Sequence, residues 1–397
     1  MLKQHQLTQS ELARWAAARI RERNYVSQLF FKQEARRLAE SCRQMSERFL
    51  GGGRLIAFGR GPYATDAQHV SVEFVHPVIV GKRALPAMDL SMAFRSWVPA
   101  VLTSDDIVMG FGPPEGDDDV LRVLADAYEQ GALTFALPGI EADYALTAPS
   151  RDPHIHQEMV EILCHTLYET VHVFFEHREL GHDVGASGFL YPFLGQKQQD
   201  LGSIVEAAAA SIAMKAHDSE LLREQVAREQ SDAIAEATLA IRARLDSGGK
   251  LILFGNGGSA TDATDWAIDC VMPENGSHPI PAISLSLEPA IITAVANDVG
   301  TEVIFLRQLI AQARPNDVAI ALSTSGGSKN ILMALEEARK RNLLTVALLG
   351  YDGGEVKRRG LADFTIVVDC DYIPRIQEAQ AAIYHVIREG LERCRAA

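Results

Sequence analysis

Residues 254–262 read FGNGGSATD, and residues 323–328 read STSGGS. Each segment follows a short apolar run, Leu251-Ile252-Leu253-Phe254 before the first and Val318-Ala319-Ile320-Ala321-Leu322 before the second. A buried strand that ends in a Gly/Ser/Thr turn and then opens a helix is a natural phosphate cradle. Glycine lets the backbone come close, free N–H groups point at the anion, and the helix N-terminus carries partial positive charge. Asn256, Gly257, Ser259, Ser323, Thr324, Ser325 and Ser328 are therefore the candidate phosphate-binding residues. There is no GxxxxGK[ST] and no well-placed GxGxxG, so we expect a monophosphate held by hydroxyls and no nucleotide cofactor.

The elements that must position these loops recur. Residues 54–61, RLIAFGRG, match 250–257, KLILFGNG, and Ala64-Thr65-Asp66-Ala67 falls over Ala260-Thr261-Asp262-Ala263. Residues 105–139 align without gaps on 316–350, and HQEMVEILCH (156–165) aligns on IQEAQAAIYH (376–385). The matches keep their order, which is the mark of a tandem duplication. Each half opens with a long helical stretch, about 8–49 and about 202–246, that ends at Gly51-Gly52-Gly53 or Gly248-Gly249. Apolar strands then alternate with helices, the pattern of a parallel sheet covered on both faces. Ligands bind at the carboxyl ends of such strands, where both Gly/Ser loops lie. A connector is expected over about 178–205, and the domains are expected at 1–185 and 186–397.

The composition narrows the classes. The 397 residues carry a net charge of −14, which argues against a nucleic-acid partner. No apolar run is long enough to span a membrane, and the N-terminus reads as an amphipathic helix. Five scattered cysteines without a CxxC pair fit a cytoplasmic setting.

The second half resembles a sugar isomerase (SIS) domain, and especially the bacterial phosphoheptose isomerase family, whose members convert sedoheptulose 7-phosphate to an aldoheptose 7-phosphate. The carrying motifs are GNGGSATDA (255–263), ANDVG (296–300), DVAIALSTSGGSKNI (317–331), LLGYDGG (348–354) and RIQEAQAAIYHVI (375–387). The resemblance covers about 200–395, and more weakly about 40–178. It implies two tandem α/β SIS domains, each a doubly wound, flavodoxin-like five-stranded parallel sheet flanked by helices. It further implies an internal pseudo-dimer, assembly through the long helices into a homo-oligomer (a dimer equivalent to a SIS tetramer), and sites at subunit interfaces.

The family carries His-x-x-x-Glu on the helix after the first Gly loop, and Gln with His eight residues later on the last helix; these groups serve as acid, base or zinc ligands. In the first half His69, Glu73, Gln157 and His165 fill these positions. His69 and Glu73 are i, i+4 and share a helix face. Two histidines, a carboxylate and a carbonyl-type oxygen suit a divalent metal, zinc foremost. In the second half Gln377 and His385 are in place, but Asp265 and Asp269 stand for His and Glu, and Pro374 replaces an Asp. Those four residues form an alternative metal or acid/base set, with Asp269 and His385 as its catalytic candidates and Gln377 a substrate contact. The first half has lost the cradle instead: GNGGS becomes GRGPY (59–63) and STSGGS becomes GPPEGD (112–117). Prolines remove donors, and an acidic run at a helix N-terminus repels phosphate. One composite site is the expectation, with the phosphate held by the second half, Glu73 as base and His165 as acid or metal ligand. Asp298 is expected to meet a sugar hydroxyl. The expected activity is aldose–ketose isomerisation of a phosphorylated sugar; a phosphosugar sensor or scaffold is the alternative.

Overall fold

A computed structural model of the chain describes residues 7–78, 82–179, 201–273 and 276–395. The boundary at 185/186, and most of the expected connector, lie outside the described residues. The chain divides into two compact units. One is Tyr25–Glu220; the other joins Met1–Asn24 to Leu221–Ala397.

The first-half unit contains β1 (Leu55–Phe58), α2 (Tyr63–Val75), β2 (Ala87–Asp89), α3 (Phe94–Val101), β3 (Ile107–Phe111), α4 (Asp118–Glu129), β4 (Leu133–Leu137), β5 (Tyr144–Ala145) and α5 (Pro153–Glu179), with most of the long helix α1 (Gln9–Leu50) before them. The second-half unit contains α7 (Ser231–Asp246), β6 (Leu251–Phe254), α8 (Gly258–Val271), β7 (Ala282–Ser284), α9 (Pro289–Asp298), α10 (Ile304–Gln312), β8 (Val318–Ser323), α11 (Lys329–Lys340), β9 (Leu344–Gly350), α12 (Gly354–Arg358), β10 (Phe364–Val368) and α13 (Ile373–Arg393). Helix α6 (Leu201–Glu229) precedes them.

Each unit is built on one five-stranded sheet. The orders are β2-β1-β3-β4-β5 and β7-β6-β8-β9-β10, with every pairing parallel. Strands β1, β3, β4, β6, β8 and β9 are buried along their whole length, which is why they read as unbroken apolar runs. The order 2-1-3-4-5 reverses direction between its second and third strands, so a crevice opens at their carboxyl ends. In the second half those strands are β6 and β8, the two that lead into the Gly/Ser loops.

The duplication is visible in paired devices. Asp143 accepts from the backbone N–H and hydroxyl of Thr134, both at 2.9 Å, and Asp363 does the same for Thr345, again at 2.9 Å. The Gly59 N–H donates to Ser91 Oγ and the Gly255 N–H to Ser286 Oγ. Asp106 accepts from the Arg54 backbone N–H at 2.9 Å and the Arg54 guanidinium at 2.8 Å; Asp317 accepts from the Lys250 N–H at 3.0 Å.

Asp106 is buried, and burial alone pushes its pKa up; the donors of Arg54 and Thr103 more than offset this and leave it below the ordinary value. Its stabilising contribution is therefore complete above the unfolded-state pKa and disappears as pH falls through the lower folded-state pKa. Asp106→Ala should cost about 2–3 kcal/mol at neutral pH, for loss of charge-assisted bonds, in a denaturant titration. The gap between variant and wild type should narrow in strong acid; a gap independent of pH would contradict this origin.

Two helices depart from the sequence expectation. Residues 202–246 form two helices, α6 and α7, with the break at Gln230. The Gln230 side chain accepts the Val367 N–H at 3.3 Å and so ties the break to β10. The long helices also serve both units. Ala16, Ala17 and Ile20 of α1 join the second-half core with Ile234 and Ile241, while Ile204, Ala208 and Ile212 of α6 join the first-half core with Leu38 and Leu163. No helix among the described residues is long and apolar enough to cross a membrane.

Candidate functional site

In the second half the crevice at β6 and β8 carries the cradle. Gly257 precedes α8 with φ of +58°, a left-handed conformation that glycine adopts without steric cost. Ser259 lies in the first turn of α8 and is buried. Across the crevice Ser323 Oγ accepts the Gly326 N–H at 3.1 Å, and Ser325 Oγ accepts the Gly327 N–H at 3.3 Å. Gly326 has φ of +59°, and a Cβ there would meet the Gly353 carbonyl oxygen at 2.3 Å. Ser328 occupies the N-cap position of α11 without a side-chain capping bond. Asn256 and Asn330 exchange side-chain amide bonds at 3.0 and 2.8 Å and brace the two loops against each other. Asn330 was not singled out from the sequence; its position two residues after Ser328 is the only signal.

At the corresponding first-half loops the protein's own charges pair with one another. Asp117 caps α4 by accepting the Asp119 and Val120 N–H groups at 2.9 and 3.1 Å. The Arg60 guanidinium lies 3.4 Å from Asp117 and bonds Asp119, whose pKa it holds below the ordinary value. His156 Nε2 donates to the Gly112 carbonyl at 3.2 Å, and burial lowers its pKa to about 4, which keeps it neutral. The helix N-terminus that would face an anion is already capped.

Helices α2 and α5 carry the first-half chemical groups. His69 Nε2 and His165 Nε2 are 3.2 Å apart, with His69 6% and His165 0% exposed. Glu73 Oε1 is 3.9 Å from His69 Nε2, and Glu73 Oε2 has no hydrogen-bond partner among the described residues although the residue is buried. Gln157 Nε2 donates to Asp66 Oδ1 at 3.2 Å and to the Pro62 carbonyl at 3.5 Å. Thus the structure brings His69 and His165 together with Glu73 beside them, and Asp66 orients Gln157. A residue not anticipated from the sequence, Glu161, joins the histidines: one ligand atom each from His69, Glu161 and His165 lies within 4.8 Å of the others.

These residues suit a divalent metal. Two nitrogens each about 2.0–2.1 Å from a tetrahedral zinc stand about 3.3 Å apart, close to the separation of the two imidazole nitrogens.

The second-half set is arranged differently. His385 Nε2 lies 3.5 Å from Asp265 Oδ2 and 3.3 Å from Asp269 Oδ2. Tyr384 donates to Asp265 Oδ2 at 2.8 Å, and Arg388 Nε donates to the Asp269 backbone carbonyl at 3.1 Å. Burial and the neighbouring Asp269 raise the Asp265 pKa, with His385 and Tyr384 opposing. Gln377 is buried, and its Oε1 has no partner among the described residues. Asp298 sits exposed at the end of α9, where it accepts from Asn297 Nδ2 at 2.8 Å.

Two all-parallel sheets of this order, with a Ser/Thr/Gly cradle at the crevice of one, define the SIS fold. The SIS domain family model matches residues 216–350. A structure of the C-terminal domain of glucosamine-fructose-6-phosphate aminotransferase from Francisella tularensis shares this fold, with a TM-score of 0.55 at 11% identity over 96% of each chain. Phosphoheptose isomerase of Geotalea daltonii is 40% identical over 181 residues, 45% of this chain and 92% of that protein. Phosphoheptose isomerase of Chlorobaculum tepidum is 44% identical over 176 residues, 43% of this chain and 83% of that protein. The chain belongs to the phosphoheptose isomerase family, with a second, diverged sheet unit added.

Proposed function

We propose that the protein interconverts the ketose and aldose forms of a phosphorylated sugar through an enediol, with sedoheptulose 7-phosphate as its substrate. The observation that carries this reading is the complementary loss in the two halves. The second half keeps Gly/Ser loops braced by Asn256 and Asn330, and the first half keeps the His69/Glu73/His165 set while Arg60 pairs with Asp117 and Asp119 at the corresponding loop.

The roles follow from chemistry. Ser259, Ser323, Thr324, Ser325 and Ser328, with the N-termini of α8 and α11, hold the phosphate at a distance from the reacting carbons and so supply remote binding energy. Glu73, buried and with a free carboxylate oxygen, takes the proton from the carbon next to the carbonyl and returns it to the neighbouring carbon. His69, Glu73, Gln157 and His165 are the residues that would hold a divalent cation, zinc by preference. When bound, the cation supplies Lewis-acid polarisation of the sugar carbonyl. Without it, His165 is the candidate acid. Asp269 and His385 are the second-half alternative for the proton steps.

A second reading, a phosphosugar-binding protein without turnover, is favoured by one feature. In the same half, the Asp265 and Asp269 carboxylates are buried and engaged by Tyr384 and His385. Incubation of the purified protein with sedoheptulose 7-phosphate separates the readings. The first expects an aldose product; the second expects binding alone.

A further inference from the structure

We infer that Asn330 is a positioning residue of the phosphate cradle: its amide pair with Asn256 sets the spacing of the two Gly/Ser loops and does so without placing a charge beside the anion. This role deepens the phosphosugar reading above and rests on it.

Asn330 is the fixed member of the pair. It is the second residue of α11, and its Oδ1 accepts the Ile331 N–H at 2.9 Å. A backbone N–H can only donate, so this bond sets which end of the amide is oxygen. The same Oδ1 accepts Asn256 Nδ2 at 3.0 Å, and Asn330 Nδ2 donates to Asn256 Oδ1 at 2.8 Å. On the other side, residues 255–257 join β6 to α8, and Asn256 carries the one side chain among them. A Cβ at Gly255 would meet the Ser259 carbonyl oxygen at 2.2 Å, so that turn cannot be held by a side chain of its own there. Among the described residues, the hydrogen bonds that join this loop to the segment after β8 are those of the amide pair. The pair uses one N–H of each amide and leaves the second N–H of each for a ligand.

The internal repeat supplies a second form of the same contact. Asn256 aligns on Arg60 and Asn330 on Asp119, and Arg60 and Asp119 also bond each other. The tie between the loops is therefore kept in both halves, while its chemistry changes from an amide pair to an ion pair. The change follows the cradle. The STSGGS loop runs into Ser328-Lys329-Asn330, and the first turn of α11 carries no acid. The GPPEGD loop runs into Asp117-Asp118-Asp119, with two acids in the first turn of α4. A carboxylate in the first turn of a helix takes up the field that a bound anion would use. An amide pair ties the same two loops and leaves that field to the phosphate.

Loops fixed before the ligand arrives need not be ordered when it binds, which lowers the cost of binding. Asn330 should therefore be felt in affinity and not in the proton steps, which belong to other residues. Because it acts through Asn256, its effect should vanish once Asn256 has lost its amide.

The test is calorimetric titration of the full chain with inorganic phosphate and with sedoheptulose 7-phosphate. Asn330→Ala should weaken both by about tenfold, the worth of one or two neutral hydrogen bonds. KM should rise to match while kcat stays within about twofold of wild type. Asn256→Ala should weaken both ligands as well, and adding Asn330→Ala to it should cost less than about twofold more. Asn330→Asp keeps the size of the side chain and an oxygen for the Ile331 N–H, and it serves if Asn330→Ala does not fold. It should bind phosphate more weakly than Asn330→Ala, because it sets a charge in the first turn of α11. Affinity within about twofold of wild type in both Asn330 variants would overturn the inference. So would an equal loss from Asn330→Ala in the wild-type and Asn256→Ala backgrounds, which would mean that Asn330 acts independently of Asn256. A wild type that binds neither ligand would overturn this role and the phosphosugar reading together. Phosphate binding that responds to Asn330 in a chain without turnover supports the positioning role and sinks the isomerase reading alone.

Discussion

Glu73→Gln should abolish isomerisation while leaving phosphosugar affinity almost unchanged. The substitution keeps the shape of the side chain and removes its ability to take a proton. Glu73 is buried, and one of its carboxylate oxygens has no partner among the described residues, as a base awaiting a substrate proton requires. A positioned general base is worth about 10²–10⁴ in rate, so kcat should fall by that factor. Equilibrium binding of the sugar phosphate should move by less than about twofold, because the phosphate anchor is built from other residues. A loss in affinity equal to the loss in kcat would mean that Glu73 shapes the binding site; an unchanged kcat would assign the proton steps to Asp269 and His385.

The second large effect belongs to the cradle. Ser323→Ala combined with Ser325→Ala removes two hydroxyl donors and two internal bonds, those to the Gly326 and Gly327 N–H groups. Each charge-assisted bond to phosphate is worth about 1.5–3 kcal/mol, so affinity should fall by roughly a hundredfold or more in a calorimetric titration. Glu115→Ala, at the exposed tip of the corresponding first-half loop, should leave affinity unchanged. Equal losses from the two loops would show that both halves bind phosphate and would remove the basis for divided labour.

Much of this organisation was legible in the chain itself. The repeat, the buried strands and the two Gly/Ser loops are local patterns, and they place the cradle at the carboxyl ends of strands in a parallel sheet without reference to tertiary detail. The loss of the first-half cradle was readable from GPPEGD, since prolines and acids at a helix start have fixed consequences. That Arg60 turns to Asp117 and Asp119 was not readable, because the partners are far apart in sequence. Glu161 was less legible, because a single glutamate on a helix carries no pattern of its own; its place midway between residues 157 and 165 on one helix face was the available signal. The sharing of α1 and α6 between the units was hidden as well. The apolar period of a 42-residue helix shows which side is buried, not which core receives it.

The central claim is that this chain turns over a phosphorylated sugar rather than merely holding it. The most direct test is nuclear magnetic resonance of sedoheptulose 7-phosphate incubated with the wild-type protein in deuterium oxide. An aldose 7-phosphate product is expected, together with deuterium incorporated at the carbon next to the carbonyl, as proton exchange from an enediol requires. Saturable binding of the sugar phosphate with neither product nor deuterium incorporation would contradict it.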